Sequence, residues 1–227
     1  MISIIIPVYN QADKIGKCLD SILNQTYRDY EVIIVNDGSE DNLELGIRNY
    51  ELRIKNLKIV DQENKGAPAA RNAGFKLSKG DFLFFCDADA QLASDALEIM
   101  VKTLKDNPRA SYAYSSFLWG RKKFNSWPFD AVKLRHTPYI HTMALIKREH
   151  FPGWDESIKK FQDWDLWLTM LKQGHSGVWI DKILFKVATG GTISSWLPSF
   201  AYKLLPFLPQ VKRYKKAMEI IKKKHNL

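Results

Sequence analysis

The stretch DFLFFCDADAQ, residues 81–91, decides how the rest of this 227-residue chain is read. Phe82 to Cys86 are five apolar or aromatic residues in a row, the signature of a strand covered on both faces. They run directly into Asp87 and Asp89, separated by one alanine. If the strand continues through them, the two carboxylates point to the same side. Each then raises the other's cost of ionisation, and burying either is costly without an opposite charge at hand. Hard oxygen ligands at that spacing suit Mg²⁺ or Mn²⁺, with phosphates and waters completing the shell. The alternative is a pair of surface aspartates capping the next helix. Ser94 is the better cap for that helix, which leaves Asp87 and Asp89 as expected ligands of a divalent metal brought with a diphosphate.

Working outward, the first half alternates strand and helix signals. Ile2 to Val8 is a β-branched run, and Ile15, Leu19, Ile22 and Leu23 follow at helical spacing. Glu31 to Asn36 and the segment LKIVD are further strands, and Pro68 opens a helix. Buried strands alternating with amphipathic helices imply an α/β fold, with a mostly parallel central sheet flanked by helices and ligands bound beyond the carboxyl ends of the strands. After Ser111 the expected elements are a strand at SYAYSSFLWG, another over Ile140 to Arg148, a helix from Phe161 that Gly174 ends, and two strands near GVWI and ILFKVA. One domain is expected over residues 1–195, with a nucleotide-binding half at 1–110 and an acceptor-binding half at 111–195, followed by a basic tail at 196–227.

Composition limits the functions. The net charge is +9, but the tail carries eight basic residues against the single acid Glu219 and so holds seven of those nine charges. A nearly neutral main body argues against a broad phosphate-backbone footprint, and no nucleic-acid partner is expected. Cys18 and Cys86 lie in apolar patterns and read as free buried thiols. The N-terminus, MISIIIPVYN, has neither the basic start nor the apolar length of a signal peptide, which points to a cytoplasmic protein. Neither GxGxxG nor GxxxxGK[ST] occurs, which disfavours dinucleotide redox and P-loop chemistry. Asp37, in VNDGSEDN, is either a turn residue before Gly38 or a carboxylate that accepts a hydrogen bond from a base or a ribose.

Three segments together, SIIIPVYNQADKIGKCLDSILNQTYRDYEVIIVNDGSEDN, NKGAPAARNAG and GDFLFFCDADA, resemble the nucleotide-binding half of the family 2 glycosyltransferases, of GT-A fold. FPGWDESIKKFQDWDLWLTMLKQG is similar, more loosely, to that family's segment ending in an acidic pair before a helix. The resemblance implies transfer of a sugar from a nucleoside-diphosphate donor, UDP-linked by preference, to a saccharide or lipid-linked acceptor, with Mn²⁺ or Mg²⁺ as cofactor. It implies that Pro7, Val8 and Tyr9 line the base pocket, that Asp37 contacts the base, and that Arg71 reaches base or phosphates. It further implies that Asp87 holds ribose or metal-bound water, Asp89 the metal, and that Asp163 is the catalytic base.

The base also has a physical argument. Inverting transfer needs one carboxylate to take the acceptor hydroxyl's proton. Asp163, at a helix start among Phe161, Trp164 and Trp167, supplies one, with Asp165 as its rival and Asp155 and Glu156 as turn residues. Two positions depart from the family's pattern. Gln162 stands where a glutamate is usual, and FKVATGGTIS lacks a histidine that would be a third metal ligand. His141 and Thr142 fall either near the acceptor or at a structural strand position. In the tail, Val211, Tyr214, Met218 and Ile221 form a stripe among lysines. It suits an interfacial helix on the inner face of an anionic membrane, or a helix packed on the domain. A nucleotidyltransferase and a non-catalytic sugar-nucleotide or membrane-binding module are the other function classes considered.

Overall fold

Strand β1, Ile2–Val8, sets the architecture of the computed structural model, which describes residues 1–189 and 207–227. Ile2, Ile4, Ile5 and Ile6 are fully buried, each burial being worth about 1.5–3 kcal/mol. A strand apolar on both faces must lie centrally, and β1 pairs in parallel with β2 (Tyr30–Asp37) on one side and β4 (Phe82–Phe85) on the other. Outside β2 runs β3 (Leu57–Gln62), also parallel. The helices between these strands are α1 (Ala12–Leu23), α2 (Leu43–Ile47) and α3 (Ala67–Leu77). Beyond β4 the chain forms β5 (Ala90–Leu92), α4 (Ala96–Asp106), β6 (Tyr112–Trp119), β7 (Lys122–Phe124), α5 (Ala131–His136), β8 (Leu145–Lys147), α6 (Gln162–Lys172), β9 (Gly177–Val187) and α7 (Pro209–His225).

All nine described strands join one sheet in the order β3-β2-β1-β4-β8-β6-β9-β5, with β7 on β6. The long ladders, including β6 on β9, are parallel, and the short contacts of β8, β5 and β7 are antiparallel. One face carries Ile4, Ile6 and Val8 against Ile15 and Leu19 of α1 and Leu97 and Met100 of α4. The other carries Ile5, Ile33 and Val35 against Ala70 of α3, Trp164 and Trp167 of α6, and Ile221 of α7. Gly74 lets α3 lie tight on the sheet, since a Cβ there would stand 2.4 Å from Ile5 Cγ2. Cys18 and Cys86 are free and buried, their sulfurs 3.6 Å apart.

Several expectations need correction. The strand at 81–86 stops at Phe85, so Asp87 and Asp89 sit in the turn between β4 and β5, closed by Ala90 N–H donating to Asp87 O. The N-cap of α4 is Asp95, without a side-chain cap bond. Ser94 instead accepts from the Thr26 N–H through its carbonyl. The strand expected over 140–148 shrinks to Leu145–Lys147, which frees His141 and Thr142 from the sheet. GVWI and ILFKVA are one continuous strand, because β9 follows β6 through register shifts around Ser116 instead of turning. Residues 190–206, the end of the expected domain and the first part of the tail, lie outside the described residues; the tail then forms α7, whose stripe packs on the domain. Val211 and Ile221 are fully buried and Tyr214 meets Phe161 edge-on at 5.0 Å. The apolar face that would enter a bilayer is thus covered in this structure. Among the described residues, no helix is long and apolar enough to cross a membrane.

Candidate active site

At the carboxyl ends of β1, β2 and β4 the chain leaves the sheet in three loops, and these border a cleft of about 370 Å³. Pro7, Val8, Tyr9, Asp37, Arg71, Asp87, Asp89 and Asp163 all line it. The far wall comes from the second half of the chain and the tail: Phe117, Trp119 and Phe124 on the β6–β7 hairpin, His141, and Tyr214 of α7.

Asp37 is buried at the end of β2, and its carboxylate ties down the loop before α3. Oδ1 accepts from Gln62 Nε2 at 2.7 Å and Lys65 N–H at 2.9 Å; Oδ2 accepts from Gly66 N–H at 2.9 Å. A carboxylate has about four acceptor positions, so one on Oδ2 is left for a ligand. Asp37 thus serves the turn, and its remaining acceptor position is compatible with a ligand.

Arg71 is buried on α3, and its guanidinium is shared between both halves of the site. Nη2 donates to Asp87 Oδ1 at 3.1 Å, Nη1 donates to Gln162 Oε1 at 3.0 Å, and the group lies over the Trp154 ring at 4.8 Å. Asn72, the next residue, fixes Trp154 by accepting from its N–H and donating to its carbonyl, both at 2.9 Å. The motif ARNAG is thus a bracket that seats GWDES and the start of α6.

Part of the missing counter-charge at the acidic pair is accordingly this arginine. At Asp89 the carboxyl is pushed up to about 6, by burial first and the Asp87 charge second, with Lys14 pulling the other way. Its backbone carbonyl accepts from the Ala188 N–H at the end of β9, which holds the turn in place. A carboxylate whose ionised state is held back by burial and by a neighbouring carboxylate fits a divalent cation, which would favour that state. Among the described residues no group of three or more His, Cys, Asp or Glu side chains is placed to hold a metal alone, so phosphates and waters would have to complete the shell.

Asp163 lies in the first turn of α6, half-buried on the cleft wall. Burial pushes its carboxyl up, while His141, the Trp164 N–H and Arg71 pull it back. The residue before the helix, Phe161, takes left-handed backbone (φ 59°), a conformation costing a bulky residue about 1–3 kcal/mol. That kink swings Gln162 and Asp163 towards the cleft. Asp165 points the other way: its carboxylate is buried against Lys224 Nζ (2.8 Å) and His225 Nε2 (2.8 Å) of α7, which removes it as the rival base. Asp155 pairs with Lys224 and caps Ser157, and Glu156 accepts from Asn72, so both are turn residues as expected.

His141 sits at the cleft and not in a strand. It lines the cleft, its Nε2 3.9 Å from Asp87 Oδ2, its Nδ1 accepting from the Met143 N–H, and its ring 4.5 Å from that of Phe117. Sequence reasoning missed the Arg71–Gln162 bond, the Trp154 platform under Arg71 and the aromatic hairpin wall. The unusual crowding of Phe, Trp and Tyr after Ser111 was the available signal for the last of these.

The model of glycosyl transferase family 2 matches residues 3–160 of this chain. The chain belongs to that family. Chondroitin synthase of Pasteurella multocida is 32% identical over 191 residues, which are 77% of this chain and 19% of that protein. An uncharacterized glycosyltransferase of Rickettsia felis is 27% identical over 221 residues, 89% of this chain and 35% of its own length. The chain spans about a third of the length of the first such relatives. Among solved structures, S. aureus TarS 1-349 in complex with UDP-GlcNAc superposes with a TM-score of 0.73 at 18% identity, over 91% of this chain and 64% of that one. The Pyrobaculum calidifontis mannosyltransferase PcManGT, in complex with GDP-Man and Mn²⁺, gives 0.66 at 24% identity, over 82% and 56%. These likenesses establish a GT-A type fold, as the family resemblance implied. The family segment holds Pro7 through Asp89 of the cleft but ends at Lys160, before Gln162 and Asp163.

Proposed function

We propose that this chain transfers a sugar from a nucleoside-diphosphate sugar, UDP-linked by preference, to a saccharide or lipid-linked acceptor in polysaccharide or glycolipid synthesis. Family membership supports the reaction class. The observation that carries the site assignment is the convergence of Arg71, Asp87, Asp89 and Asp163 on one cleft, from three separate chain segments.

In this reading Pro7, Val8 and Tyr9 receive the base, the remaining acceptor position of Asp37 takes a base N–H, and Arg71 faces the diphosphate. Asp87 and Asp89 would hold Mn²⁺ or Mg²⁺, which when bound neutralises charge on the departing diphosphate. Asp163 takes the acceptor hydroxyl's proton as that oxygen attacks the anomeric carbon from the face opposite the diphosphate, which inverts the configuration. Its raised carboxyl pKa suits a base, and the aromatic hairpin wall suits the apolar face of a sugar ring. Contact with an anionic membrane surface would draw on the exposed lysine face of α7 alone, since its apolar stripe is covered.

The test is nucleotide release from UDP-glucose, UDP-GlcNAc and GDP-mannose, with and without Mn²⁺, paired with thermal shift by the same donors. Turnover of a UDP-sugar with a Mn²⁺-dependent rise in melting temperature is expected. Absence of both binding and turnover across the panel overturns the reading.

A further inference from the structure

The C-terminal helix has more to do than cover apolar surface. Its last turn reaches the start of α6 with an ammonium group and an imidazole ring. Lys224 Nζ stands 2.7 Å from Asp155 Oδ2 and 2.8 Å from Asp165 Oδ2, and His225 Nε2 stands 2.8 Å from Asp165 Oδ1. The Asp165 and His225 side chains are 4% and 6% exposed. Three turns earlier, Tyr214 packs edge-on against Phe161, the left-handed residue that opens α6, and borders the cleft itself.

We propose that Lys224 and His225 are positioning residues for Asp163, holding Asp165 and with it the first turn of α6, while Tyr214 completes the cleft wall. The proposal rests on the reading of Asp163 as the base. Asp163 and Asp165 are two residues apart on one helical turn, so their side chains leave the helix about 200° apart. One therefore faces the cleft when the other faces α7, and fixing Asp165 fixes Asp163. The inner side of α6 is already anchored: Trp164 Nε1 donates to Leu134 O at 2.7 Å, Trp167 Nε1 to Ile140 O at 3.0 Å, and Gln162 accepts from Arg71. The outer side has the Lys224–His225 clamp. Asp155, bridged by the same lysine, ties the preceding turn into the same unit.

The energetics favour a working role over a decorative one. A nearly buried carboxylate deprived of one of its two partners moves towards water or towards another cation, and either motion turns the start of α6. A displacement of about 1 Å at a reacting group can cost about a hundredfold in rate. Asp165, Lys224 and His225 lie beyond residue 160, outside the segment the family model matches, while Asp155 lies within it.

The experiment uses the full chain with Lys224→Met, His225→Phe and the conservative Lys224→Arg. UDP release from UDP-GlcNAc and UDP-glucose with Mn²⁺ gives kcat and donor KM, calorimetry gives the UDP Kd, and amide hydrogen exchange reports on residues 161–165. Lys224→Met and His225→Phe are expected to lower kcat at least tenfold with KM and Kd within twofold of wild type. Exchange over 161–165 should quicken tenfold, and Lys224→Arg should recover both. Unchanged exchange and kcat in the folded variants overturn the clamp, as does a parallel loss of UDP affinity, which marks a general structural role. If Lys224→Met does not fold, Lys224→Gln is read by the same two measures. A wild type that neither binds nor turns over any of UDP-glucose, UDP-GlcNAc and GDP-mannose refutes the proposed function, and the exchange data then decide the clamp independently.

Discussion

Arg71 and Gln162 are 91 positions apart in sequence, and their side chains meet at 3.0 Å across the floor of the cleft. The bond joins the nucleotide-binding loops to the helix that carries Asp163, and a neutral amide accepts it, so Asp87 is the carboxylate that balances the guanidinium. An arginine fork can serve both partners at once; an ammonium is a point charge that cannot reproduce that geometry. Arg71→Lys is expected to cost roughly 1–3 kcal/mol of stability, the penalty of leaving a buried group under-satisfied, and to weaken UDP binding about tenfold. Calorimetric titration with UDP and a thermal melt check both; wild-type affinity in the variant would show that the fork is dispensable.

Asp163→Asn preserves shape and removes the base. Sugar transfer should fall about 10²- to 10⁴-fold, the usual contribution of general base catalysis, with UDP affinity within twofold of wild type. Steady-state kinetics beside calorimetry separate the two quantities. Turnover equal to wild type would dismiss Asp163 and reopen the search for the base.

Asp89→Asn should act in opposite directions with and without metal. Near pH 8 the wild-type carboxylate is charged against both burial and Asp87, so the amide is expected to raise the melting temperature in chelator-treated buffer. The extra thermal shift that Mn²⁺ gives to a UDP-bound wild type should vanish in the same variant. An undiminished Mn²⁺ increment places the cation elsewhere.

Lys224 holds the Asp155 carboxyl down at about 2, below its usual 3.8. On acidification the unfolded chain takes up this proton first, so the stabilisation is complete above about pH 4 and drains away as pH falls to 2. The lysine, raised by the same carboxylates, loses its share only on the alkaline side. Denaturant melts between pH 5 and 2 should show a steeper decline for wild type than for Lys224→Met; parallel curves would show that the pair contributes nothing.

How much of this was legible beforehand follows from what kind of information each feature carries. Local composition carried the parallel half of the sheet: β-branched runs such as SIIIPV and EVIIVN have no alternative in a folded chain. Family resemblance carried Pro7, Val8, Tyr9, Asp37, Arg71, Asp87, Asp89 and Asp163, and all of them border one cleft. The end of β4 was misread because an apolar run gives no sign of where pairing ceases, and here the Ala90–Asp87 turn bond ends it. The contest between Asp163 and Asp165 could not be settled from spacing, since its resolution depends on α7, some 60 residues away. The stripe on α7 was equally undecidable, because a bilayer and a protein core ask for the same apolar residues.

β5 follows β4 by four residues in sequence yet lies at the opposite sheet edge, hydrogen-bonded only to β9 among the described strands, a partner some ninety residues downstream. The two halves are therefore laced together like the fingers of clasped hands. A fragment cut after the first hundred residues would leave the flank of β4 bare and β5 unattached, inviting intermolecular strand pairing. Soaking, labelling or complementation needs the whole chain, and its melting should be a single sharp event in which neither part outlives the other.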